Sequence, residues 1–466
     1  MSRTLSKLMF QSSVARTLPP AVAGGLLVAA ALTAGCATNL CETAPEDPHC
    51  ADTVTPGQLS LSVSPLRLSL SQGGSLTVKL GTTPPAGTRA FLRRAGAGDL
   101  LLGTLDKSEQ MVAVKVADLA GRTPGMAQLV VAQPDQSEMT VSMRLFVEPV
   151  FKDPAKEYDT KADANSPIWA GVGENGGIYT LNTFPPFMGS TDKQLRIVDY
   201  QYGNGMLALR SPQSFGAYRG YPISDVLPGR GAIVADRVVA VSKNPVSTMY
   251  PVLTDLCSYK TQTCQQLNPM TLEFQKLLGL AADRRGNLVA VQTDAQVLAY
   301  RGSDVTPFSE RLTLQGMGAN KGAVVAVAVG DLDGDGQPDL VTLHQGPIGA
   351  SVFLRASDTR TLRYSDTYSA QLQGALGGVL PTAMVMADLD ADGLDDVALA
   401  RGSMVSLLIN QGDGSFSAMS PIASITAIDG LALGNVDVGA GSRSTDLVVS
   451  SSVSQKVALL LNQATY

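Results

Sequence analysis

From residue 155 onward one unit recurs along the chain: a short apolar strand, an acidic or Asn-Gly turn, and a second apolar strand. The clearest copies run from Val324 to Leu343 around Asp331–Asp339 and from Ala383 to Ala400 around Asp388–Asp396. A degenerate copy spans Leu431 to Val449 around Asn435 and Asp437, with Asp446 displaced by an insertion. Weaker copies lie at Leu280–Val291 around Asp283, at Ile233–Val241, and at the Asn204-Gly205 and Asn175-Gly176 turns. Counted from Asp283, the turns recur at intervals of 48, 57 and 47 residues. One such unit cannot bury its own apolar face, so the units must stack on one another or close around an axis. Four-stranded blades arranged radially use residues 155–466 in six or seven units. Signals are weakest over 155–250, where a different kind of domain also fits.

Ahead of the repeats the pattern is shorter. Leu59, Leu61 and Val63 alternate with Ser; Leu66, Leu68 and Leu70 follow, then a Gly73-Gly74 turn and Leu76, Val78 and Leu80. Val141, Met143, Leu145 and Val147 close the segment on one face, with Ser142, Arg144 and Phe146 on the other. Period-two alternation between tight turns means half-buried antiparallel strands, and residues 58–150 suit one β-sandwich. Leu61 to Leu80 resembles the opening strands of bacterial Ig-like domains. The expected fold is therefore all-β, an N-terminal Ig-like β-sandwich followed by a β-propeller of six or seven blades.

The N-terminus carries Arg3, Lys7 and Arg16, then the apolar run Ala21–Gly35. That order is a secretory signal peptide, and the run is shorter than the roughly 20 residues a bilayer span needs. Leu32-Thr33-Ala34-Gly35-Cys36 resembles the bacterial lipobox, which implies cleavage after residue 35 and lipidation of Cys36. Ala37 in place of Asp points, by the same resemblance, to the outer membrane of a bacterial cell envelope. Residues 36–57 then form an acidic tether. With Cys36 given to lipid, Cys41, Cys50, Cys257 and Cys264 remain as two local pairs, 41 with 50 and 257 with 264. Oxidising compartments keep such disulfides; a four-Cys zinc site is the alternative, although the gaps are wide for it.

Two full acidic loops carry the chemistry. Asp331, Asp333, Asp335 and Asp339 stand at positions 1, 3, 5 and 9 of the first, and Asp388, Asp390, Asp392 and Asp396 at those of the second. Carboxylates crowded in this way raise one another's pKa unless a cation sits among them, and oxygen-only donors favour Ca²⁺. Gly336 and Gly393 at position 6 allow the sharp turn that brings the carbonyls of Gln337 and Leu394 into play at position 7. Two calcium sites are expected; the Asn435 loop, with Gly439 at its position 5, is a third but degenerate one, better read as a plain turn. The loops and Leu407–Phe416, echoed by Leu459–Gln463, look like FG-GAP/VCBS repeats, blades of integrin-α-like propellers in which such a loop binds calcium.

Other classes fare worse. A formal net charge of −6 gives no electrostatic basis for nucleic-acid binding. His49 and His344 are the only histidines, which leaves little room for histidine catalysis. Gly171–Gly176 matches a dinucleotide fingerprint, but a strand follows it in place of the helix the phosphates require. Trp169 reads as blade packing. The expected function is a non-enzymatic binding or adhesion scaffold for protein or glycan, anchored to the membrane through lipid. The alternatives are an outer-membrane assembly or accessory lipoprotein and a calcium-dependent hydrolase.

Overall fold

Alternation builds the first eight strands: β1 (Leu61–Ser64), β2 (Arg67–Ser69), β3 (Gly74–Leu80), β4 (Arg89–Arg94), β5 (Ala97–Thr104), β6 (Glu109–Val114), β7 (Gly125–Ala132) and β8 (Glu138–Phe146). The computed structural model describes residues 60–464 apart from 152–154, 161–165, 185–193, 211–230, 235, 244–251, 259–260, 262, 268–276, 284, 286, 294–295, 304–307, 317–322, 346–348, 357–359, 378–380 and 438–443. Two sheets form, β1-β3-β6 and β2-β8-β7-β4-β5. Val63, Leu76 and Val78 of one sheet pack with Leu92, Leu129 and Leu145 of the other in a single core, because every second side chain of a strand points the same way. The signal peptide of residues 1–35, Cys36, the tether of 36–57, and Cys41 and Cys50 lie outside the described residues.

After β9 (Lys156–Asp159) the sheets become four-stranded meanders. The first is β10 (Ser166–Val172), β11 (Ile178–Phe184), β12 (Gln194–Gly203) and β13 (Met206–Leu209). The second is β14 (Gly231–Val234), β15 (Arg237–Lys243), β16 (Val252–Ser258) and β17 (Thr263–Leu267), and the third β18 (Leu277–Ala282), β19 (Val289–Thr293), β20 (Val297–Arg301) and β21 (Glu310–Gln315). The fourth contains β22 (Val324–Gly330), β23 (Asp339–His344), β24 (Gly349–Arg355) and β25 (Thr361–Ser365); β21 pairs in parallel with β25, so the third and fourth share one sheet. The fifth is β26 (Ala383–Ala387), β27 (Asp396–Arg401), β28 (Met404–Asn410) and β29 (Phe416–Ala418), with β30 (Ile422–Ala423) also on β28. In the sixth, β31 (Gly430–Gly434), β32 (Asp446–Ser451) and β33 (Lys456–Leu460) take β9 as their fourth strand.

The first strands of the six meanders, β10, β14, β18, β22, β26 and β31, adjoin one another in a closed ring. Among the described residues this is a propeller of six blades, and the strands described between 155 and 250 belong to it. Each blade is covered on both sides, which explains its unbroken apolar runs. On β27, Val397 and Leu399 pack with the fourth blade while Ala398 and Ala400 pack with the sixth. The strand pattern gave no sign of α1 (Asp366–Ala375) between the fourth and fifth blades, capped by Ser365, whose hydroxyl accepts the Tyr368 amide. Tyr368, Ser369 and Leu372 form its buried face. Among the described residues no helix is long and apolar enough to cross a membrane.

Candidate metal centre

Both full acidic loops are turns between the first and second strands of a blade, β22 to β23 and β26 to β27. In each, position 1 closes the turn on itself. Asp331 accepts the amides of Gly334 and Gly336 at 2.7 and 2.9 Å, and Asp388 accepts that of Gly393 at 3.0 Å. Position 6 is left-handed as expected, with φ of 79° at Gly336 and 90° at Gly393. Position 4 is left-handed too, at Gly334 (φ 79°) and, without a glycine's freedom, at Ala391 (φ 62°).

Folding brings three of the four expected carboxylates together in each loop. Oxygens of Asp331, Asp333 and Asp335 lie within 4.8 Å of one another, as do those of Asp388, Asp390 and Asp392. Either triad has the spacing to hold a metal ion, and an all-oxygen donor set suits a hard cation. Burial pushes the carboxyls of Asp331 and Asp335 up from their ordinary range. In the second loop burial acts with the neighbouring carboxylates Asp392 and Asp390 to raise Asp388 to about 8. One oxygen of Asp388, Oδ1, is buried without a hydrogen-bond partner.

The fourth expected ligand of each loop binds backbone amides. Asp339 accepts the Leu332 amide on Oδ2 and the Arg355 amide on Oδ1, both at 2.8 Å. Asp396 does the same for Leu389 and Asn410, at 2.9 and 2.8 Å. Asp446 repeats the arrangement with Val436 and Asn462, at 2.8 and 2.9 Å. The position-9 carboxylates are thus brackets that tie the loop to the end of the third strand. Both Asp339 and Asp396 are buried beside the triads: burial first, and then the neighbouring triad carboxylates Asp333 and Asp390, raise their carboxyls. Gln337 and Leu394 contribute amides to the turns, donating to Asp335 and Asp392 at 2.7 and 2.8 Å, and the Leu394 side chain is fully buried.

Residues the sequence reading passed over join the blades. Asn410 Nδ2 donates to the Leu332 carbonyl of the preceding blade at 2.8 Å, and Asn462 Nδ2 to that of Leu389 at 3.2 Å. Arg355 fills this place in the fourth blade, its Nη1 donating to the Asn287 carbonyl at 3.0 Å. The echo of Leu407–Gln411 in Leu459–Gln463 was the signal, since Asn stands fourth in both runs.

The sandwich rests on the second loop. Arg67 of β2 pairs with Asp390 and, through Nε at 3.1 Å, with Asp392; its guanidinium lies 4.3 Å from the centre of the Phe146 ring. Arg144 Nη1 donates to the Asp392 carbonyl at 3.0 Å, and the Val147 amide to that of Asp390 at 2.9 Å.

Elsewhere the innermost strands enclose an axial cavity of about 180 Å³. Trp169 lies against Gly171 and Gly231, so it packs blades, as expected. Asp429 lines the cavity, but its Oδ2 accepts both the amide and the hydroxyl of Ser452, at 2.7 and 2.6 Å. His344 is buried beside the hydroxyls of Thr342 and Ser351, at 2.9 and 3.1 Å. The register sets Cys257 directly opposite Cys264 on β16 and β17.

No family model matches the chain, and no curated protein matches it. Among solved structures it is similar to the Tc holotoxin pore of Photorhabdus luminescens (14% identity, TM-score 0.30), covering 78% of this chain and 17% of that one. It is also similar to an Agrocybe aegerita lectin recognising non-reducing terminal N-acetylglucosamine (15%, TM-score 0.35), covering 73% and 90%. A third is a Bacillus licheniformis rhamnogalacturonan lyase (13%, TM-score 0.21), covering 81% and 63%. The chain thus spans under a fifth of the toxin chain's length.

Proposed function

We propose that this is an exported, lipid-anchored β-propeller, stabilised by calcium, that works without catalysis as a binding or adhesion scaffold for a protein or glycan. The convergence of Asp331, Asp333 and Asp335 between two buried strands carries the reading. Repulsion within such a triad is relieved by a divalent ion, and calcium is the hard cation that best tolerates a flexible, all-oxygen loop. The spacing Asp-x-Asp-x-Asp-Gly-x-x-Asp on a blade turn, similar to FG-GAP/VCBS repeats, supports the same metal. In this role the ion holds β22 and β23 in register and takes no part in chemistry. Asp429, the carboxylate at the axis, already holds two donors from Ser452, which favours a scaffold over a hydrolase. The runner-up is an assembly or accessory lipoprotein of the outer membrane.

Crosslinking on intact cells followed by mass spectrometry, with and without EDTA, tests the scaffold role, alongside a glycan array probed with the mature chain. A calcium-dependent partner or glycan is expected. Turnover of a glycan, phosphodiester or lipid that EDTA abolishes would replace the scaffold with the hydrolase, and capture of envelope-assembly proteins alone would favour the runner-up. The anchor is checked separately: Cys36→Ser should release the protein from the membrane fraction.

A further inference from the structure

The two triads differ in their surroundings. Asp331 and Asp333 are half-buried and Asp335 is exposed, whereas Asp390 and Asp392 of the second loop are at 1% and 0% exposure. The sandwich makes the difference. Arg67 is itself 7% exposed, sits on the Phe146 ring, and reaches across to the second loop from 323 residues away in sequence. Around it Arg144 and the Val147 amide hold the carbonyls of Asp392 and Asp390. Gly334 leaves room for the Arg144 side chain, since a Cβ there would collide with its guanidinium.

Asp388 keeps Oδ1 free of hydrogen bonds, but the other two carboxylates of the triad have little left for an ion. Oδ1 of Asp390 accepts the Asp392 amide at 3.3 Å and Oδ1 of Asp392 accepts that of Leu394 at 2.8 Å. The remaining oxygen of each, Oδ2, faces Arg67. A divalent ion entering here would need the same two atoms and would lie against a buried guanidinium of like charge, where low dielectric strengthens repulsion. Guanidinium and metal are therefore alternative occupants. We infer that Arg67 takes the cation's place in the second loop, so that this loop is a latch fastening the sandwich to the propeller and only the first loop loads a divalent ion. Removing Arg67 opens a second metal site.

The inference rests on the proposed metal reading of these loops, and one experiment separates the two. Calcium chloride is titrated into the full mature chain by isothermal calorimetry, with bound ions counted by native mass spectrometry. One ion is expected in the wild type and two in Arg67→Met. Two ions in the wild type, or no gain in Arg67→Met, overturn the latch. None in the wild type but one in Arg67→Met keeps the latch and removes the first-loop site instead. Should Arg67→Met fail to fold, Asp390→Asn decides: it takes away a guanidinium partner, so the count stays at one, and loss of an ion overturns the inference.

Discussion

Asp395 and Asp331 clasp one another across adjoining blades: the Asp331 amide donates to Asp395 Oδ2 at 2.8 Å, and the Asp395 amide returns a bond to the Asp331 carbonyl at 2.7 Å. The first acidic loop is thus shaped by the turn of its neighbour. Gly330 permits the approach, since a Cβ there would collide with the Asp395 carboxylate and Met386. Asp395→Ala leaves the partly buried Asp331 amide without its acceptor, at a cost of about 0.5–1.5 kcal/mol. Chemical denaturation should show that loss together with weaker calcium binding at the first loop; unchanged values for both would mean the clasp carries no load.

Calcium should raise the melting temperature and EDTA should reverse it. At a tenfold excess over Kd one site adds about 1.4 kcal/mol. The double variant Asp333→Asn, Asp335→Asn should remove this response, read by differential scanning calorimetry. Identical melting curves in calcium and EDTA for the wild type would rule out the first-loop site.

Ala391 holds the left-handed position that Gly334 fills in the first loop. A left-handed conformation costs an alanine about 1–2 kcal/mol, partly offset by the greater chain entropy of glycine when unfolded. Ala391→Gly should stabilise the protein by roughly 0.5–1 kcal/mol. Urea titration checks the sign, and a loss of stability would contradict the strain.

Asp199 on β12 is buried with Oδ1 lacking a hydrogen bond, and Arg210 stands 3.6 Å off. Burial raises its pKa to about 6, against the pull of Arg210. The folded state therefore holds the proton more tightly than the unfolded chain, so the contribution is fully present below about pH 4 and lost as pH rises through about 6. A shift of this size is worth up to roughly 3 kcal/mol. Asp199→Asn should flatten the fall in stability between pH 4 and 7; an unchanged pH profile would show that Asp199 is ordinary.

Thiol counting under non-reducing conditions addresses the cysteines. With Cys257 opposite Cys264 in register, neither should react with an alkylating agent in exported protein. Modification of both would remove that pairing.

The blades between 324 and 460 were legible because their acidic turns interrupt apolar runs at fixed offsets. Between 155 and 270 only strand density marked them, since the turns there carry no repeated acidic spacing. The triads could be read from spacing alone, as positions 1, 3 and 5 must converge wherever position 6 turns sharply. The amide bonds of Asp339 and Asp396 were not legible, because a carboxylate that binds amides and one that binds a metal have the same letter and the same offset. Arg67 could not have been found: the contact with Asp390 depends on how two separately folded parts meet. Helix α1 escaped because its single buried turn directly follows a strand.

Five of the six blades draw all four strands from consecutive stretches of chain, but the sixth needs β9 against β33, where Glu157 and Lys456 stand 299 positions apart. Early blades can zip locally, while the seam must wait until nearly the whole sequence is on hand, and its closing entropy comes due in one event. Until then the apolar flanks of the first and last blades lie open to water, and the arc that carries them is the species most exposed to aggregation.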